Sequence, residues 1–203
     1  MSDATMERFK ASLSSSDVDA FVFSDFRHGI FNRHTISELT ASLPTGPVRV
    51  ADSQVASRWG NILDFQGFDL ITPNEREARF ALGDQDSVVR PLSLELYKKA
   101  ECKLLVLKLG DRGIITYRAP SYNVRSFFSI DSFAGDIVDP VGAGDALLAY
   151  ATLGLVAARS EVVASVLGSM AAAVACEHDG NLPVSPEQVL KKIDYVESHT
   201  HLV

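Results

Sequence analysis

The sequence predicts an α/β fold built on a mostly parallel sheet flanked by helices. Three observations carry that expectation. Short β-branched or aromatic runs alternate with longer segments of helical periodicity. The 203 residues are 46% hydrophobic and 22% charged, enough apolar material for a core and too much for a disordered chain. No repeat, low-complexity tract or linker interrupts the pattern, so one domain over residues 1–203 is expected.

The segment Met1–Asp17 is mixed and polar and lacks the apolar core of a secretory signal. Ala20–Phe23 reads as a buried strand and Ser24–Gly29 as the loop after it. A helix from about Asn32 to Ser42 ends before the breakers Pro44, Gly46 and Pro47. Val48–Ala51 and Leu70–Thr72 are the next strands. Pro73 stops the second of these, and Asn74–Leu82 follows as a helix closed by Gly83. Ser93–Ala100 has a helical pattern, and Leu104–Lys108 is a strongly apolar strand. Gly110 and Gly113 bracket a tight turn that brings Ile114–Arg118 back as a β-hairpin.

Phe127–Ile130 and Asp136–Asp139 are further strand candidates. Three helices complete the chain: Ala146–Ala158, Glu161–Glu177 and Pro186–Ser198. The last opens with a capping box of Ser185 and Gln188, with Pro186 at its first position.

Charge and composition exclude several function classes. The net charge of −7 argues against a surface that coats nucleic acid. Cys102 and Cys176 make no disulfide framework, so a reduced, cytoplasmic setting is expected. The most apolar stretch, Ala146–Ala158, is too short to cross a bilayer, and Arg159 and Glu161 close it. His34, His178, His199 and His201 show no metal-ligand spacing and are read as surface residues, His199 and His201 in a frayed tail.

The segment that carries chemistry is Ile137-Val-Asp139-Pro-Val-Gly142-Ala143-Gly144-Asp145, followed by a long apolar helix. Extended chain running into a glycine turn that opens a helix aims several backbone N–H groups at one spot, with the positive end of the helix dipole behind them. Such a spot binds a phosphate or stabilises charge developing on one. Glycine there lets a ligand approach the backbone closely. Asp145, in the first helical turn, is placed to take a proton from an attacking hydroxyl. A plainer reading stands beside this one: glycine turns before helices are common, and the dipole alone favours Asp in a first turn. There is no Walker P-loop, and GAGDAL lacks the third glycine of a dinucleotide fingerprint.

The wider pattern resembles the ribokinase-like (PfkB) carbohydrate kinases. Asp139-Pro-Val-Gly-Ala-Gly-Asp145 is similar to the family's D-T-x-G-A-G-D signature, and Thr72-Pro-Asn74-Glu-Arg-Glu77 to its N-x-x-E motif. Leu107-Lys-Leu-Gly110-Asp-Arg-Gly113 resembles its strand–LGxxG hairpin. Ala171–Cys176 leading to Gly180 and Asn181 resembles the helix and loop that close over adenine. The four matches fall in the family's order across residues 20 to 198. Phe23-Ser-Asp25-Phe and Leu70-Ile-Thr-Pro-Asn-Glu look most like the heptose-phosphate kinase (ADP-heptose synthase) branch.

The resemblance implies a Rossmann-like three-layer ribokinase fold and an ATP-dependent transfer of the γ-phosphoryl group to a sugar or sugar-phosphate hydroxyl. Asp145 would be the general base, and Gly142, Ala143 and Gly144 the anion hole. Asn74 and Glu77 would organise Mg²⁺ and its waters. Asp139 would sit at a monovalent-cation (K⁺) site. Lys108, Gly110, Gly113, Gly180 and Asn181 would lie along the nucleotide. Each has a structural alternative: Asn74 as a helix cap, Glu77 as a solvated helical residue, Lys108 facing solvent, Gly110 and Gly113 serving only the hairpin.

The chain also departs from the family pattern. Pro140 replaces the signature's usual Thr, and Lys108 stands where many members carry a hydroxyl residue. The family's N-terminal part, with the sugar-binding Gly-Gly signature and a small β-lid, has no counterpart before the Ser24-Asp25 strand. Two rival expectations therefore stand. One is an inactive nucleotide-binding or assembly module, a homodimer or a partner to a chain that supplies the N-terminal half. The other is a kinase of the same fold acting on a vitamin-like alcohol. Asp25, Arg27 and His28 fall at a strand's C-terminal end, where ligands bind in open α/β sheets, but are expected in an exposed loop.

Overall fold

A computed structural model describes residues 2–54, 62–119 and 125–199. It divides into two compact units, 1–105 and 106–203. Among the described residues there are six strands and seven α-helices. The hydrogen-bonded strand order follows the sequence, β1 to β6, and the strand β4 (Leu104–Lys108) ends the first unit and begins the second.

The first unit opens with α1 (Asp3–Ser14), then β1 (Ala20–Asp25), α2 (Arg33–Ala41), β2 (Val48–Ser53), β3 (Leu70–Ile71), α3 (Glu75–Leu82) and α4 (Val89–Ala100). Its strands are parallel and in register, with Phe23 beside Ala51, Ala51 beside Ile71, and Ile71 beside Leu105. All four strands therefore end on one side, which puts Asp25, Ser53 and the Thr72-Pro73-Asn74 turn at a common edge. The core is apolar and aromatic. Phe23, Phe65 and Phe68 are buried and meet edge to face, with ring centroids 5.3 to 5.9 Å apart. Each such ring contributes about 1.5–3 kcal/mol by burial.

Most boundaries agree with the sequence to within one or two residues. Gly83 closes α3 as expected, and Asn32 and Asn74, read as the first residues of their helices, are the N-caps of α2 and α3. β1 runs two residues past Phe23, because Ser24 and Asp25 still pair with β2. α4 starts at Val89 rather than Ser93; Pro91 falls in its first turn, where an amide has no intrahelical partner to lose. α1 has no counterpart in the sequence reading. Met6 is its one buried residue, and Ser2 caps it by accepting the Thr5 amide.

The second unit contains β5 (Ile114–Arg118), β6 (Phe127–Ile130), α5 (Ala143–Ala158), α6 (Glu161–Cys176) and α7 (Pro186–His199). The chain turns from β4 into β5 at Gly110–Gly113, where the Leu109 amide donates to the Gly113 carbonyl at 2.9 Å. β5 and β6 are antiparallel, Ile114 opposite Ile130 and Tyr117 opposite Phe127. α5 and α6 pack through small residues. A Cβ on Gly154 would lie 2.8 Å from Ala164 Cα, and one on Gly168 2.9 Å from the Leu147 carbonyl oxygen. α7 closes on α6 through Val189, Met170 and Ala171. Its predicted capping box is present: the Ser185 amide donates to Gln188 Oε1 at 2.8 Å, and the Gln188 amide to Ser185 Oγ at 3.4 Å.

One strand expectation fails. Asp136–Asp139 is irregular, with residues 136–138 exposed and Asp139 half-buried. The amides of Val138 and Asp139 both donate to the Cys176 carbonyl, at 2.8 and 3.1 Å, so neither is available to a sheet ladder. His178 is exposed as expected, with Nδ1 2.7 Å from the Val174 carbonyl oxygen. His199 ends α7 instead of fraying, and His201 lies outside the described residues.

Candidate active site

In the first unit the N-x-x-E residues form a capping box at the start of α3. Asn74 Oδ1 accepts the Glu77 amide at 2.9 Å, and Glu77 Oε2 accepts the Asn74 amide at 2.7 Å. Glu77 is only 6% exposed, so it is not the solvated helical residue of the plainer sequence reading. Asn74 is the helix cap of the alternative reading, and the box orients both side chains at the C-terminal end of β3.

The end of β1 also differs from expectation. Asp25 is 3% exposed and the Arg27 side chain 5% exposed, while His28 is exposed. Arg27 has a left-handed φ of 60°. Its amide donates to Asp25 Oδ1 at 2.8 Å and its Nε to the Gln54 carbonyl at 3.1 Å. Nη1 lies 3.2 Å from Asp25 Oδ2, which also accepts the Ser53 hydroxyl at 3.1 Å. The turn thus folds a charged pair inward that sequence spacing alone placed in solvent.

In the second unit the glycine signature opens α5. Gly142 is the N-cap, with φ 82°, a conformation that favours glycine. Ala143, Gly144 and Asp145 are the first three helical residues; helices leave such first-turn amides without intrahelical acceptors, and the Ala143 amide donates instead to the Pro140 carbonyl at 3.3 Å. The helix therefore begins three residues earlier than its apolar stretch suggested.

The signature is held from behind by Asp139. Its Oδ1 accepts the Val141 amide at 2.9 Å and its Oδ2 the Gly180 amide at 3.2 Å. Gly142 faces Asn181 so closely that a Cβ would strike the Asn181 side-chain amide, with Cγ only 3.1 Å away. The structure thus brings Asp139, Gly142, Gly180 and Asn181 together around one turn. Lys108 ends β4, half-buried. Gly110 opens the β4–β5 turn with φ 66° and open space at its Cβ position. Gly113 has a steric role: a Cβ there would run into the backbone of 130–132, with Ser132 N at 2.7 Å.

Sequence reasoning missed the support of this turn. Glu177 follows the last residue of α6, and its Oε1 accepts both the Gly135 amide at 2.8 Å and the Lys192 ammonium at 2.5 Å. Burial pushes the Glu177 carboxyl up, but the Gly135 amide and the Lys192 ammonium outweigh it and hold the group below its ordinary value. The Cys176 thiol is pushed up, by burial first and then by the carboxylates of Glu177 and Asp139.

Among the described residues no three His, Cys, Asp or Glu side chains form a metal-holding group, and no helix is long and apolar enough to cross a membrane.

Known proteins are similar to this chain in sequence and in architecture. The bifunctional protein HldE of Citrifermentans bemidjiense is 25% identical over 185 residues, which is 89% of this chain and 36% of that protein. HldE of Geobacter metallireducens is 27% identical over 187 residues, 90% of this chain and 36% of that one. The chain thus spans about a third of the length of these relatives. Among solved structures, phosphofructokinase-2 from Escherichia coli in complex with potassium superposes with a TM-score of 0.80 at 18% identity, over 97% of this chain and 63% of that one. Arabidopsis thaliana ribokinase complexed with ribose and ATP gives 0.71 at 18% identity, over 95% and 59%. These likenesses establish the ribokinase-like α/β fold. The profile of the pfkB family carbohydrate kinases matches residues 33–188, from α2 through the N-x-x-E box and the glycine signature into α7, and this chain belongs to that family.

Proposed function

We propose that the chain carries the phosphoryl-transfer machinery of an ATP-dependent sugar or sugar-phosphate kinase, with a heptose phosphate as the acceptor implied by the resemblance of Phe23-Ser-Asp25-Phe and Leu70-Ile-Thr-Pro-Asn-Glu to the heptose-phosphate kinase branch. The observation that carries this reading is the start of α5: a glycine N-cap at φ 82°, with Asp145 as the third helical residue. Phosphoryl transfer depends mainly on positioning and on stabilising negative charge. The Gly142–Gly144 amides and the helix dipole would supply that stabilisation. Asp145 would take the proton of the attacking hydroxyl, a contribution of about 10²–10⁴-fold.

The chemistry of the donor set agrees with metal delivered by the nucleotide. Mg²⁺ is held by one or two carboxylates together with substrate phosphates and keeps several waters. Glu77, oriented by its bond to the Asn74 amide, suits that role through water. When bound, Mg²⁺ would neutralise charge on the transferred phosphate. Asp139 would serve a monovalent cation such as K⁺ from the other side of the turn; its oxygens each accept one N–H here, and a carboxylate has about four acceptor positions. Lys108, Gly110, Gly180 and Asn181 would line the nucleotide.

Calorimetric titration with Mg-ATP, paired with transfer assays on sugars and sugar phosphates, tests the reading. Binding with transfer supports it. Binding without transfer to any acceptor points to a nucleotide-binding module, and no binding removes both.

A further inference from the structure

Residues 131–142 reach the glycine turn without regular secondary structure, so no ladder fixes them. Their position depends on individual bonds, and several of these converge on the last residue of α6 and the few that follow it. The Gly135 amide goes to Glu177 Oε1, the Val138 and Asp139 amides to the Cys176 carbonyl, and the Asp139 carboxylate to the Gly180 amide. Of these two acceptors on the α6 side, the Cys176 carbonyl is backbone and Glu177 Oε1 is a side chain. Loss of the Glu177 carboxylate by mutation leaves the backbone intact.

Lys192 makes the arrangement more specific. It lies inside α7 with a side chain 9% exposed, and its ammonium reaches Glu177 Oε1. A hydrocarbon side chain would fill that place without covering a charge, and in some proteins a part-buried ion pair of this kind is kept for conformational specificity rather than stability; the Glu177 side chain here is 26% exposed. The pair binds α7, the end of α6 and the approach to the glycine turn at a single oxygen atom.

We propose that Glu177, held by Lys192, is a positioning residue that sets the placement of the Gly135–Gly142 approach and thereby of the α5 amides. The proposal rests on the reading of that turn as the phosphoryl-transfer site. Small displacements there are costly to catalysis, on the order of 10²-fold for about 1 Å.

The test uses the full chain with Glu177→Ala, Glu177→Gln and Lys192→Met, read by amide hydrogen exchange, Mg-ATP affinity and turnover. In Glu177→Ala, exchange at Gly135, Val138, Asp139 and Val141 should accelerate about 10-fold or more while the interior of α6 is unchanged, since these amides open locally once unanchored. Turnover should fall by about 10-fold or more with nucleotide affinity altered less than about threefold, the mark of misplacement rather than lost binding. Glu177→Gln, which can still accept the Gly135 amide, should restore most of both. Lys192→Met should show the exchange change in milder form, and it carries the test if the Ala variant does not fold. Unchanged exchange across 135–141 in the folded Ala or Met variant overturns the proposal, as does equal loss in the Ala and Gln variants. If the chain transfers no phosphate, the exchange measurement still decides this point, separately from the kinase reading.

Discussion

Asp139 Oδ2 accepts the Gly180 amide at 3.2 Å, while Oδ1 of the same carboxylate accepts the Val141 amide at 2.9 Å. One side chain therefore ties the glycine turn to the α6–α7 loop, across 41 positions of sequence. Asp139→Ala releases both amides. Transfer activity should drop by about 10²-fold, the scale of losing one donor that stabilises a developing anion. Cooperative unfolding in urea should persist. Asp139→Asn, which keeps an acceptor for only one amide at a time, should fall between. A wild-type turnover number in Asp139→Ala would remove the clamp from the account.

The Asn74–Glu77 box separates a structural role from a metal role. Glu77→Gln preserves the acceptor that bonds the Asn74 amide, so thermal stability should stay near wild type. It removes the charge, so the Mg²⁺ dependence of ATP binding should weaken. Asn74→Ala should instead cost about 1 kcal/mol of stability through loss of the cap. Denaturation curves alongside Mg²⁺ titrations of nucleotide binding distinguish the two effects. Equal Mg²⁺ dependence in wild type and Glu77→Gln would leave Glu77 only its capping role.

Burial pushes the Cys102 thiol from an ordinary 9.0 up to about 12, so the folded state favours the neutral form. The sign follows from linkage: a group whose pKa is raised on folding contributes stability that is complete below its unfolded pKa and lost as pH rises through its folded pKa. Stability should thus decline between about pH 9 and 12, and Cys102→Ala should flatten that part of the profile. Thiol labelling at neutral pH should modify Cys102 only when the chain unfolds, since the thiol is both neutral and covered. Rapid labelling of Cys102 in the folded protein would contradict its burial.

Alternation of apolar strands and amphipathic helices made the parallel part of the sheet readable, because burial imposes those periods directly. Local bonding rules made the cap at Ser185 and the alternative cap at Asn74 readable, because their partners lie three residues away. Contacts without a fixed spacing were not readable. Ile137 and Val138 look like a strand, yet the amides of Val138 and Asp139 share one distant acceptor, Cys176. Glu177 caps the end of α6 and Lys192 lies within α7, 15 positions apart, and no periodicity pairs them. Arg27 belongs in an exposed loop by composition. A left-handed φ turns it back onto Asp25 and the Gln54 carbonyl, the latter 27 positions on. At α1, a single buried residue gives too weak an apolar stripe to mark a helix.

The role proposed for Asp145 as base at the start of α5 is tested by γ-phosphoryl transfer from Mg-ATP to a panel of sugars and sugar phosphates, with wild type and Asp145→Asn compared. The wild type should transfer phosphate and the variant should lose that activity by about 10²-fold or more, with Mg-ATP affinity and melting temperature retained. An Asp145→Asn protein that transfers phosphate at the wild-type rate would contradict it.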